Sequence, residues 1–117
     1  MPTARNFHAG IAAEELAARA YRLAGGQVRA LRWRCPEGEL DLIVEFSDEI
    51  VFVEVKARRR HTPDAVTERQ WTRIGAAATR YLAEQTDGTR PCRFDVALVD
   101  RSGRLRCIEN ARSFDSW

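Results

Sequence analysis

The sequence predicts one α/β domain, residues 1–117, built on a central mixed β-sheet flanked by helices in the order α-β-β-β-α-β-β. Three observations carry that expectation. Residues 31–35 and 39–46 alternate apolar with polar or charged side chains, the two-residue period of a strand covered on one face. Residues 50–57 are apolar on both faces for most of their length, as a strand in the middle of a doubly covered sheet must be. Residues 10–24 and 67–85 repeat their apolar residues at helical spacing and end at turn-forming residues.

The first helix is expected over 10–24, alanine-rich and stopped by Gly25-Gly26. Its buried stripe reads as Ala12, Leu16, Ala20 and Leu23, widened by Ala13, Ala17 and Ala24. A strand over 27–35 sets Leu31, Trp33 and Cys35 against Arg32 and Arg34, and Pro36-Glu37-Gly38 turns the chain. In the next strand, Leu40, Leu42, Val44 and Phe46 share one face, with Glu39, Asp41, Ile43 and Glu45 on the other. Ser47-Asp48-Glu49 makes a short hairpin connection into 50–57. That strand turns charged at its C-terminal end, where open α/β sheets bind ligands. Thr67 to Gln70 fits a capping box, and Val66 with Trp71 a hydrophobic staple. Trp71, Ile74, Ala78, Tyr81 and Leu82 form the inner stripe of this second helix, and Arg69, Arg73 and Arg80 its outer face. Strands over 92–100 and 105–109 complete the order. Residues 1–9 and 112–117 read as flexible tails, with the chain docked loosely from Asn110 onward.

Composition narrows the function classes. No apolar run approaches the ~18–20 residues of a membrane span, and residues 1–10 lack the apolar core of a signal peptide. Cys35, Cys92 and Cys107 are odd in number and scattered, which suits reduced thiols in a cytoplasmic protein. His8 and His61 are isolated, which argues against zinc. Net charge is only +2, but its distribution is uneven. Glu37, Glu39, Asp41 and Glu45 crowd one stretch; Arg29, Arg32 and Arg34 precede it, and Arg58, Arg59 and Arg60 follow Lys56. Acids that hold a cation, ringed by arginines that attract a phosphate backbone, suit a metal-dependent enzyme acting on a phosphodiester.

The candidate site is built from four residues. Lys56 is the one lysine against eighteen arginines, which suggests that a compact point charge on a flexible stem is wanted at that position. Glu54 shares its strand face. If the two central strands pair through the Ser47 hairpin, Asp41 falls opposite Glu54, with Cβ atoms roughly 4.5–5.5 Å apart. Two facing carboxylates repel unless a cation neutralises them, and oxygen-only ligands favour Mg²⁺ or Mn²⁺. On the first helix Glu15 has Arg19 one turn on, whereas Glu14 borders the apolar stripe without a helical partner, so it should pair with something off the helix.

Gly38-Glu39-Leu40-Asp41-Leu42-Ile43, Val51-Phe52-Val53-Glu54-Val55-Lys56-Ala57-Arg58 and Arg93-Phe94-Asp95 resemble the YraN-like family of small bacterial proteins. Gly10 with Glu14, and Ala78, Tyr81 and Leu82, fit its two helices. The resemblance spans about residues 9–111. That family looks like a branch of the PD-(D/E)XK nuclease superfamily, near the archaeal Holliday-junction resolvases, and so implies a restriction-endonuclease-like fold. It also implies that Asp41 and Glu54 ligate a metal with the Val55 carbonyl, that Glu14 completes the site, and that Lys56 orients water or stabilises developing charge. Gln70 stands where the family commonly has lysine, and 59–63 lacks its usual glycine; both differences bear on substrate positioning. The implied activity is a Mg²⁺-dependent endonuclease acting on DNA, on branched or junction substrates in repair or recombination. Arg58, Arg59, Arg60, Arg32, Arg34, Arg73 and Gln70 would contact the backbone without reading sequence. A resolvase would act as a homodimer and a nickase as a monomer, and both stay open here. The rival class is a non-catalytic nucleic-acid-binding or adaptor module of the same fold.

Overall fold

Five strands lie side by side in chain order: β1 (Gln27–Cys35), β2 (Gly38–Glu45), β3 (Ile50–Ala57), β4 (Cys92–Val99) and β5 (Leu105–Arg112). The computed structural model describes residues 4–57 and 66–112. Pairing is antiparallel except between β3 and β4, which run parallel and are joined through α2 (Glu68–Gln85). The mixed sheet and the order α-β-β-β-α-β-β are those the sequence predicts. α1 (Ala4–Leu23) begins six residues before the expected start at Gly10. Asn110 to Arg112 are not loosely docked: β5 continues to Arg112, which pairs with Phe94, and residues 113–117 lie outside the described residues.

Each helix covers one face. Phe52, Phe94, Leu98 and Ile43 pack under Trp71, Ile74, Ala78 and Tyr81 of α2. Val51, Val53, Val55, Leu42, Val44 and Ala97 pack under Ala13, Ala17, Ala18 and Tyr21 of α1. β3 therefore contributes to both cores, as its two apolar faces require. At the start of α2 the Gln70 N–H donates to Thr67 Oγ1 at 3.2 Å, and the Thr67 N–H donates to Gln70 Oε1 at 2.9 Å. Both halves of the expected capping box are made.

The buried stripe of α1 is rotated from the expected one. Ala12 is exposed, Leu16 and Leu23 are 38% and 80% exposed, and the sheet is met by Ala13, Ala17, Ala18 and Tyr21. Alanine occupies every face of this helix, so the pattern has no strong phase; the small side chains let the helix settle close to the sheet. Its end is a Schellman motif, with Gly26 N–H to the Tyr21 carbonyl and Gly25 N–H to the Arg22 carbonyl. Gly25 supplies the left-handed φ of 96°, and a Cβ on Gly26 would lie 2.4 Å from Val44. The stop is therefore also a docking point of helix on sheet.

Strict alternation in β2 breaks at Asp41. Leu42 and Val44 face α1, but Leu40 joins Ile43 under α2. The opposing position on β1 is Arg32, whose φ of 53° is left-handed, between the pairs Leu31↔Leu42 and Trp33↔Leu40. A left-handed residue reverses the sense in which side chains leave the strand. Ala30 and Trp33, three apart, accordingly pack toward the same core.

Candidate metal centre

The β2–β3 ladder runs from Glu45↔Ile50 to Leu42↔Val53. One step further in the same register, Asp41 falls opposite Glu54, as the hairpin length predicts. Here the carboxylate of Asp41 replaces a strand carbonyl, and Asp41 Oδ2 accepts from the Val55 N–H at 2.9 Å. The end of the ladder opens into a cleft of about 400 Å³ whose walls carry Glu14, Arg32, Glu39, Asp41, Glu54 and Lys56.

Three elements position these groups. Glu14 lies on the same face of α1 as Ala17, Ala18 and Tyr21, so docking the alanines on the sheet turns it inward, while Glu15 is exposed. Its off-helix partner is Arg32, whose Nε and Nη2 each lie 2.7 Å from Glu14 Oε1. β2 supplies Glu39 and Asp41. β3 supplies Glu54 and Lys56, which pair at 3.3 Å with side chains 11% and 15% exposed. Oxygens of Glu14, Glu39 and Asp41 all lie within 4.8 Å of one another. Two oxygens ~2.0–2.6 Å from a shared hard cation sit at most about 5 Å apart, so this all-oxygen trio could hold a divalent hard cation.

Glu39 was not among the expected ligands, although the alternation of β2 puts it on the Asp41 face. Glu54 lines the cleft beside the trio, its Oε1 3.3 Å from the Lys56 ammonium. Its carboxyl is pushed up to about 8, first by burial and then by the charge of Asp41, with Lys56 offsetting part of this. Glu14 is raised as well, chiefly by burial. Between the ordinary 4.5 and about 8 the folded chain binds the Glu54 proton and the unfolded chain does not. Stability from this group is thus fully present below its ordinary range and lost as pH rises through about 8. Without added cation, the melting temperature should fall as pH rises from about 4.5 to about 8, and Glu54→Gln should flatten that fall. A variant with the wild-type slope would remove Glu54 as its source.

The expected nucleic-acid contacts divide. Arg34 is 75% exposed beside Glu39, 3.3 Å from its Oε2, and Arg73 is exposed on α2. Arg32 instead turns inward to Glu14, which withdraws it from the free basic surface. The side-chain oxygen of Gln70 is taken by the Thr67 N–H, so it serves the helix start. Arg58, Arg59 and Arg60 lie outside the described residues.

Residues 13–99 match the model of the uncharacterised protein family UPF0102. The chain belongs to that family. It is similar to a UPF0102 protein of Ruegeria pomeroyi, 48% identical over 110 residues that cover 92% of this chain and 89% of the relative. A UPF0102 protein of Cereibacter sphaeroides strain KD131 is 46% identical over 109 residues, 91% of this chain and 93% of its own. A more divergent UPF0102 protein, from Frankia casuarinae, keeps 41% identity over 105 residues, 85% of this chain and 88% of its own. The matched span takes in all six cleft residues named above. No described helix is long and apolar enough to cross a membrane.

Among the charged residues that sequence reasoning left without a role is Asp95, 0% exposed on β4. It accepts from Tyr21 Oη at 2.6 Å, from Arg93 Nε at 2.9 Å and from the Asn110 N–H at 2.9 Å. A carboxylate inside the apolar run Phe94-Asp95-Val96 was the available signal. It ties α1, β4 and β5 together on the face where Glu14 is presented.

Proposed function

We propose that this UPF0102 protein is a Mg²⁺- or Mn²⁺-dependent endonuclease that hydrolyses DNA phosphodiesters. One observation carries the reading. Three carboxylates whose oxygens lie within 4.8 Å share a cleft with the half-buried Glu54–Lys56 pair, at the C-terminal end of the central strand. A binding module gains nothing from crowding acids where it must meet phosphate. Glu14, Glu39 and Asp41 would hold the cation, which when bound supplies Lewis-acid polarisation and a more acidic water. The remaining work belongs to the chain. Lys56, nearly enclosed, sets a positive charge where the phosphoryl oxygens gain negative charge. Asp41 is held by a backbone N–H and so keeps its position at little entropic cost. Arg34 and Arg73 stand at the surface for backbone phosphates.

Calorimetry with Mn²⁺ on wild type and Asp41→Ala, followed by cleavage of duplex, flap, single-stranded and four-way junction DNA, tests this. Binding heat that disappears with Asp41, and cleavage that needs the cation, are expected. Absence of heat from the wild type, or equal heat from the variant, would falsify the proposal. DNA binding with cation uptake but no cleavage would select the adaptor reading.

The arginine run after Lys56 makes a separate prediction. Replacing Arg58, Arg59 and Arg60 by alanine should weaken binding to all DNA sequences alike. On B-DNA the salt slope should drop by ~0.9 for every phosphate that is no longer neutralised. An unchanged slope would place the run away from DNA.

A further inference from the structure

We propose that Arg32 is an internal stand-in for the cation: its guanidinium neutralises Glu14 in the cation-free protein and is displaced to the cleft mouth, onto a DNA phosphate, when the metal binds. This rests on the cation-dependent reading above. It adds a coupling between the two ligands of the site.

Four observations lead to it. Arg32 places both Nε and Nη2 on one oxygen of Glu14, 2.7 Å from each, and Glu14 belongs to the carboxylate trio. Charge balance comes next. Glu14, Glu39, Asp41 and Glu54 face Arg32, Arg34 and Lys56 across the cleft, so the acids exceed the cations by at most one. A divalent ion added with every cation in place would leave the cleft with excess positive charge, and like charges confined at this distance repel strongly. One positive group must therefore yield.

Position shows which. Lys56 is held against Glu54 with only 15% of its side chain exposed, whereas Arg32 is 31% exposed while Glu14 is 12%. Arg32 also neighbours the outward-pointing Arg34 two residues on. Finally, Arg32 sits at a left-handed φ of 53° where strand alternation breaks. A non-glycine residue held there carries backbone strain that the Glu14 ion pair must offset. Breaking that pair frees the strand to relax.

The displaced guanidinium has a second partner to go to. A planar fork suits phosphate oxygens better than a lysine would. Cation binding thus converts an arginine that blocks a ligand into one that holds substrate, and by linkage DNA should tighten the cation in return.

Mn²⁺ calorimetry on Arg32→Gly and Arg32→Ala tests the first half. Glycine accepts the φ of 53° without a Cβ, so that variant keeps the backbone. Both variants should bind Mn²⁺ at least ~5-fold tighter than wild type, in line with the usual range of coupling between sites. Salt dependence of duplex binding, with and without Ca²⁺ as a hard cation, tests the second. The wild-type slope should steepen by ~0.9, one phosphate contact, when the cation is added, and the slope of either Arg32 variant should not. Glu14→Gln gives a route that leaves Arg32 in place: with its partner neutral, the steeper slope should be present without cation. A residue that only supported the fold would move none of these together. Equal or weaker Mn²⁺ binding by a folded Arg32 variant, or a Glu14→Gln slope that still matches cation-free wild type, overturns the stand-in and leaves the cation site standing. Failure of wild type and every variant to bind Mn²⁺ overturns both.

Discussion

Lys56→Arg should abolish cleavage, lowering kcat by ~10²-fold or more, with Mn²⁺ affinity and fold retained. The magnitude is that of removing one group aimed at developing charge in an enclosed site. Formal charge is conserved, so any loss must come from shape. The Lys56 ammonium lies 3.3 Å from Glu54 Oε1 in a position only 15% exposed, and a guanidinium is both larger and planar. It would either push into the Glu39–Asp41 wall or rotate out of the cleft. In both cases the positive charge leaves the point where it is needed. Mn²⁺ calorimetry separates this from damage to the ligands, since the trio does not include Lys56. Single-turnover cleavage on the best substrate gives the answer. Activity within a few-fold of wild type would reduce Lys56 to a salt-bridge partner of Glu54.

The fold was legible because its signals are local and redundant. Thr67 and Gln70 cap α2 as their spacing requires, and the short Ser47 hairpin sets the register that brings Asp41 opposite Glu54. What escaped depends on a single dihedral or a long-range pairing. Periodicity put Leu40 with Leu42 because it assumes that every residue keeps strand geometry, and the left-handed φ at Arg32 shows that one does not. At the same irregularity Arg32 meets Glu14, a contact that no spacing in the sequence reveals. The α1 stripe was misphased since alanine is neutral to phase. Glu14 was singled out by what it lacked on its own helix, whereas Glu39 carried no signal beyond sharing the strand face of Asp41. Asp95 ends the Arg93-Phe94-Asp95 motif, but no sequence spacing connects it to Tyr21, 74 residues away.

Asp95→Ala should be the most destabilising single substitution outside the apolar core, costing ~3–5 kcal/mol of folding free energy. Asp95 is fully buried, and its carboxylate takes hydrogen bonds from Tyr21, Arg93 and the Asn110 backbone. Removing it leaves those donors facing a cavity and strips Arg93 of its enclosed partner. Arg93 retains an ion pair with Glu49, so the lower part of that range is expected. Tyr21→Phe is the gentler probe: it deletes one donor and should cost ~1–3 kcal/mol, since a buried acceptor loses a short 2.6 Å bond. Burial, and then the hydrogen bond to Asp95, push the Tyr21 hydroxyl far above its ordinary range, so the donor stays protonated at any working pH. Against a typical total of 5–15 kcal/mol, the Asp95 loss is large enough to read by urea unfolding. The consequence reaches the cleft, because Tyr21 and Glu14 stand two turns apart on one face of α1. Loosening the Tyr21 end frees the helix to rotate, and Mn²⁺ affinity should fall in Tyr21→Phe although Tyr21 touches no ligand. Unchanged stability in both variants would mean that Asp95 exchanges its partners for water. Lost stability with unchanged Mn²⁺ affinity would show that Ala13, Ala17 and Ala18 suffice to hold Glu14 in place.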